Sequence, residues 1–351
     1  MKRMTIDQIN DEVAGYQGAL SPIAHAISRC TNRALDSLAD DLDRMLDRGR
    51  YEPDKSILFL NGQADSGTIK RIEELARKAP GRLGRRIWES VIGQVTTGRL
   101  TNRRAIGHIV KLSAFSVLDD MTNSVARILS TVAEDGYLHG VFALQMESGM
   151  GWNVDGMKNA RTQIIVESVF SQSEAVRFIR PTINMADKAI MTAFLTGRKR
   201  KEVAKAAEPV KQADIYRAKR EARTTITQTA NEAHKEAYKK HKVKKYEFMA
   251  TFDERTCPVC GQLDGKRFPI DEAKAGVNYP PMHPNCRCTT VAALSPEVQA
   301  LMRQRKYTDD ATGITYDIPR DFHYNDWYHR FGPGRTDGVE YVPKFRNRED
   351  D

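Results

Sequence analysis

Between Arg33 and Arg48 the apolar residues Leu35, Leu38, Leu42, Met45 and Leu46 recur at steps of three and four, with aspartate and arginine between them. That period lines them along one face and predicts an amphipathic helix whose stripe packs on a neighbouring helix. From Gly49 to Gly67 the pattern is broken by Pro53, the short apolar run Ile57-Leu58-Phe59-Leu60 and Asn61-Gly62, which predicts a loop with room for a brief strand. Helical periodicity returns from Thr68 to about Leu144, and Pro80-Gly81, Gly84 and Gly98 divide it into several helices of ordinary length. Gly149 to Gly156 forms a Gly-rich break around Trp152. Lys158 to Leu195 then reads as helical, with a break near Pro181 and a turn at Gly197.

Ala218, Ala222, Ile226, Ala230, Ala233 and Ala237 step along one face of a further helix, so its basic side chains project from the other faces. Small residues on that stripe predict close packing on a neighbour. After Val291 come Ser295-Pro296, a helix-compatible run to Lys306, and a poorly periodic tail rich in Gly, Asp, Tyr and Pro. Trp327, Tyr328 and Phe331 are the aromatic anchors available to that tail, and disorder is expected from Lys344 onward. The fold class expected is mainly α: a multi-helix body, a small metal-stapled α+β module near residues 246–292, and an irregular C-terminal tail. The boundaries drawn are an N-terminal helical region at 1–145, a second helical region at 146–245, a Cys/His module at 246–294 and an extended tail at 295–351.

Composition adds charge to this picture. The 351 residues carry a net charge of +9, with 29% charged and 8% aromatic residues. A low mean hydropathy of -0.56 suits a solvated helical protein better than a compact β-rich one. Thr196 to Tyr246 holds 16 Lys plus Arg against 6 Asp plus Glu, a balance of 16 minus 6, or +10, and so exceeds the surplus of the whole chain. Such a segment suits phosphate contacts, through the run Arg198, Lys199, Arg200, Lys201 in particular, or remains a solvated lysine-rich face. A second basic cluster, Arg82, Arg85, Arg86, Arg99, Arg103 and Arg104, sits at helix joints. It reads either as solvated surface or as a contact for acidic protein or nucleic acid. No stretch approaches the roughly 20 apolar residues of a membrane span, and the amino terminus lacks the apolar core of a signal peptide. The expectation is a soluble protein made in a cytosol.

Four of the five cysteines and one histidine fall between Tyr246 and Val291. Cys257 and Cys260 form a C-x-x-C pair, and His283, Cys286 and Cys288 form an H-x-x-C-x-C group. Two ligand-dense turns can grip one ion from opposite sides, and zinc takes four such donors at about 2.0 to 2.3 Å. Five candidates compete for four places. Cys257, Cys260 and Cys286 serve in either downstream pairing, which leaves His283 and Cys288 as alternatives for the fourth. Surplus donors favour a closed structural site over a catalytic one; free thiols or paired disulfides are the bland reading, and Cys30 reads as a small buried residue.

Phe252-Asp253-Glu254-Arg255-Thr256-Cys257-Pro258-Val259-Cys260, Leu263-Asp264-Gly265-Lys266 and Pro280-Pro281-Met282-His283-Pro284-Asn285-Cys286-Arg287-Cys288, taken together, resemble the signature of the tailed-phage minor head (head morphogenesis) protein family, which includes the phage Mu F protein. Ala189-Ile190 to Gly197 and Tyr216 to Asn231, with Arg223-Thr224 at its centre, resemble the helical region before that signature. Thr225 stands where many relatives carry an acidic residue. Asp310 to Pro319 and Tyr324 to Trp327 resemble the extension of some members. The resemblance implies a non-enzymatic minor capsid protein inside the virion head, associated with portal, scaffold or major capsid protein and with packaged DNA.

Two enzymatic readings compete. His234-Lys235-Glu236 ahead of Cys257 and Cys260 mimics the H-x-E and C-x-x-C of zinc deaminases, though Thr256 replaces the expected proline and the downstream ligands go unused. His283 and Asn285 hint at a His-Asn-His nuclease, which lacks its second nearby histidine.

Overall fold

The computed structural model describes residues 18–148, 159–252, 255–293, 304–308 and 315–319. Among them the chain is mainly helical. It divides into two units that are discontinuous in sequence: Ser21–Ile128 with Phe170–Glu221, and Leu129–Val169 with the described residues from Ala222 onward.

The first unit is all helical. Helix α1 (Leu20–Arg48) buries Leu35, Leu38, Leu42, Met45 and Leu46, the predicted stripe, together with Cys30 at 2% exposure. A single 3-10 turn (Pro53–Lys55) leads into α2 (Ser56–Asn61), followed by α3 (Ser66–Lys78), α4 (Gly81–Thr96), α5 (Asn102–Phe115) and the start of α6 (Leu118–Ser148). The run Ile57 to Leu60 is therefore helix, not the loop or brief strand its length suggested. Pro53 opens the 3-10 turn, Leu60 is buried, and the ring of Phe59 stacks on Phe194. Caps fit the sequence: Asp65 accepts the Thr68 amide at 2.6 Å and Thr101 the Arg104 amide at 3.5 Å. Gly84 does not end a helix. It lies inside α4, where a Cβ would collide with the Ala76 carbonyl of α3, so it permits a close approach of two backbones.

Helix α8 (Gln172–Leu195) runs unbroken through Pro181. The predicted break is absent, and the turn before the proline is held by a side chain from another helix. Arg217 donates to the Phe178 carbonyl and, at 2.8 and 3.1 Å, to Thr182 Oγ1 and Asp214 Oδ1, and its guanidinium lies 4.8 Å over the Phe178 ring. A short α9 (Arg200–Ala204) and the first part of α10 (Val210–Lys240) complete the unit.

In the second unit, the later turns of α6, α7 (Asn159–Val169) and the later turns of α10 carry a small antiparallel sheet. Strand order is β2 (Arg267–Pro269), β1 (Lys245–Met249), β3 (Thr289–Ala292), with Glu247 opposite both Arg267 and Val291. The alanine stripe of α10 is buried as its spacing predicts, Ala233 and Ala237 completely. It meets glycines that the sequence did not single out. A Cβ on Gly136 would lie 2.9 Å from the Ala230 carbonyl oxygen, and one on Gly140 2.8 Å from the Ala237 Cβ. Strands β4 (Gln304–Thr308) and β5 (Thr315–Pro319) pair antiparallel, so Gln304 to Lys306 continues no helix. Trp152, the aromatic residues 327–331 and residues 344–351 lie outside the described residues.

Candidate metal centre

The site is built on the sheet. Strand β1 turns Tyr246 and Phe248 inward, both fully buried, and Phe248 joins Ala250, Phe252, Cys260, Cys286 and Cys288 in one apolar cluster against which Cys257 and Met282 pack. The C-x-x-C pair opens the short helix α11 (Pro258–Leu263). Cys257 stands at its N-cap with Pro258 behind it, and the Cys260 amide points at the Cys257 sulfur at 3.4 Å. Asp264 and Gly265 then return the chain to β1. The Asp264 carboxylate accepts the Ala250 amide at 2.8 Å, and Gly265 takes a φ of +74° that side chains resist.

The second ligand turn lies across α10. Thr227 Oγ1 donates to the Cys286 carbonyl at 2.7 Å and Asn231 Nδ2 to the Cys288 carbonyl at 3.3 Å. The Asn285 amide donates to Thr224 Oγ1 at 2.8 Å, and Arg223 reaches the Asn285 side chain. Asn285 has a φ of +71°, a left-handed conformation that asparagine tolerates better than most residues, and it swings the chain so that Cys286 and Cys288 both point inward. Tyr279 OH donates to the Asn231 carbonyl at 2.6 Å and Tyr238 OH to the Thr290 carbonyl at 3.1 Å, anchoring the flanks of the turn on the same helix.

All five ligand candidates come together. Cys257, Cys260 and His283 form one triad and Cys260, Cys286 and Cys288 another, the donor atoms within each lying within 4.8 Å of one another, with Cys260 common to both. His283 Nδ1 donates to the Pro284 carbonyl at 2.9 Å, which fixes the tautomer and leaves Nε2 as the basic nitrogen, 3.5 Å from the Cys260 sulfur. Hydrogen bonds from Cys260 and Cys288 draw the Cys286 thiol far below the ordinary range, and hydrogen bonding to Cys286 pushes Cys260 up. Three buried sulfurs at this spacing cannot all ionise unless a cation lies among them. The donor set of four thiols and one imidazole, borderline to soft, fits a metal ion.

Thr227 and Asn231 escaped the sequence reading. Their signal was polar residues at 224, 227, 231 and 238 keeping helical step beside an alanine stripe, on a helix whose other faces are basic. His234 and Glu236 take no part in either triad. His234 is buried beside Tyr238, and Glu236 accepts from Arg161 at 2.6 Å. In the basic run, Arg200 pairs with Asp43 and Asp47 of α1, while Arg198, Lys199 and Lys201 remain exposed.

Residues 184–291 match the family model described as phage Mu protein F like protein. This segment belongs to the phage Mu F-like family. The F-like segment takes in the end of α8, all of α9 and α10, and the sheet through Val291, so the ligand turns and the helix that holds them fall within one family unit. No curated protein and no solved structure matches the chain. The F-like family is one of phage head morphogenesis proteins. No helix among the described residues is long and apolar enough to cross a membrane.

Proposed function

We propose that this is a minor capsid protein of phage head morphogenesis whose F-like module is stapled by a structural zinc ion and has no enzymatic role. The observation that carries the metal assignment is the convergence of Cys257, Cys260, His283, Cys286 and Cys288. Cys257 and Cys260 hold one side of the ion, and two of the three downstream donors hold the other. A closed site is favoured by five donors for four positions, by the near-complete burial of Cys260, Cys286 and Cys288, and by the helix side chains fastened to the backbone of the second turn. A catalytic zinc keeps a coordination position open for water or substrate, and nothing in this donor set reserves one.

Zinc supplies cohesion here: a structural site of this kind contributes on the order of 10 kcal/mol to the folding of its module. Purified protein should hold about one equivalent of zinc per chain, and a strong chelator should unfold the module. Less than about a tenth of an equivalent, with the fold intact in chelator, would refute the assignment. Association with portal, scaffold or major capsid protein is part of the proposal, supported by the likeness to head morphogenesis proteins. It is tested by the neighbours cross-linked to this chain in assembled heads. Contact with packaged DNA is assigned to Arg198, Lys199 and Lys201, with Arg200 already committed to α1. Weak, sequence-independent duplex binding whose log-log salt slope is about -0.9 per phosphate neutralised is expected. Absence of binding at about 50 mM salt removes the DNA role and leaves the assembly role.

A further inference from the structure

Helix α4 is amphipathic, yet only Gly84 and Val91 of its 16 residues are buried. Its closest contact is the narrow line where Gly84 meets the Ala76 backbone of α3, which leaves the neighbouring apolar edge uncovered. Trp88, Ile92 and Val95 follow one another along that edge at steps of four and three. Ile92 is 46% exposed, Val95 41%, and Trp88 is partly buried. Seven residues of helix span about 10 Å, so the edge is two turns long.

Six arginines lie along the helix and at the joint after it, and Arg85, one turn before Trp88, flanks the edge. Arg82, Arg85, Arg86, Arg99, Arg103 and Arg104 are all exposed, and the stretch 80–104 contains Glu89 as its only acid, a balance of 6 minus 1, or +5. Other arginines of the same unit, Arg44, Arg71 and Arg200 among them, form ion pairs with aspartate. These six form none with any described residue.

We propose that α4 is the docking surface for an acidic amphipathic helix of a protein partner. Phosphates alone would satisfy the arginines and leave Ile92 and Val95 in water. A helix with apolar residues at three- and four-residue steps and carboxylates beside them covers both, which is the helix-in-groove mode of recognition. The proposal rests on neither the metal nor the family reading.

The test titrates full-length protein against a fluorescein-labelled synthetic helix of about 18 residues, with leucine at i, i+3, i+4 and i+7 and glutamate elsewhere. A scramble of the same composition and a duplex DNA run alongside. The ordered peptide should bind at least about tenfold tighter than the scramble, and Ile92→Ser with Val95→Ser should remove about that factor without changing DNA affinity. Arg85→Gln with Arg86→Gln should flatten the salt dependence of peptide binding. All four substituted side chains are exposed, so both variants should melt with the unmodified protein, and the arginine variant stands alone if the serine variant does not. Equal binding of peptide and scramble, or peptide affinity indifferent to the serine pair, overturns the proposal. So does an arginine variant that weakens DNA binding alone.

Discussion

Replacing Thr227 by valine isolates the grip of α10 on the ligand turn. The swap keeps the branched shape and much the same helix propensity, and removes only the hydroxyl that donates to the Cys286 carbonyl at 2.7 Å. Thr227 is 9% exposed and Cys286 2%, so water cannot readily replace the lost donor. Leaving a buried carbonyl unpaired costs about 1 to 3 kcal/mol. At about 2 to 4 °C per kcal/mol for a body of this size, the melting temperature should fall by roughly 4 to 8 °C for a mid-range loss. Two positions along the same helix stands a built-in control. Thr229 is fully buried, and its hydroxyl has no partner among the described residues. Thr229→Val should therefore be neutral or stabilising, because it deletes a desolvated hydroxyl that bonds to nothing. Calorimetry on metal-saturated protein reads both variants, and competition with a chelator should show about 10- to 100-fold weaker metal binding for Thr227→Val alone. Equal shifts for the two, or no shift for Thr227→Val, would show that the turn is held by its ligands without help from the helix.

Cys260→Ser should abolish metal content, since both triads include that sulfur, and Cys257→Ser should lose most of it, whereas Cys288→Ser, whose place His283 can take, should weaken binding less; atomic absorption on dialysed protein ranks them. Gly136→Val should destabilise by about 1 to 3 kcal/mol or more, because its Cβ would already press on the Ala230 backbone; a denaturant midpoint that does not move would refute the close contact. Burial, helped by Lys111 and Arg104, lowers the His108 pKa from 6.5 to about 4, so the unfolded chain takes up a proton first as pH falls. Stability from this residue is full above pH 6.5 and is lost on descending from there to about 4; His108→Gln should shrink the difference between denaturant midpoints measured at pH 7 and pH 5.

The features legible in the sequence were those whose partners lie within a few residues. The α1 stripe, the alanine steps of α10 and the two ligand turns each declare themselves by local spacing. What escaped depends on distant partners. Thr227 and Asn231 meet carbonyls 59 and 57 residues further along the chain, and no periodicity announces that. Pro181 reads as a helix breaker, and the Arg217 that holds the Phe178 carbonyl in the turn before it lies 39 residues away. Gly84 reads as punctuation because a glycine needed for close approach and one needed for a turn are the same letter. Ile57 to Leu60 is too short for period to separate strand from helix, and the Tyr51, Phe59 and Phe194 ring cluster decided it.

Five donors for four places give the candidate centre a spare on its downstream side, while Cys260 is common to both triads. A tetrahedral ion would consume four donors and five are present, so oxidation of Cys288 would still leave a full complement through His283. Cys257 sits at the partly exposed edge where an oxidant arrives first, while Cys260 is 1% exposed. The sulfur that both triads share is the one that is sealed.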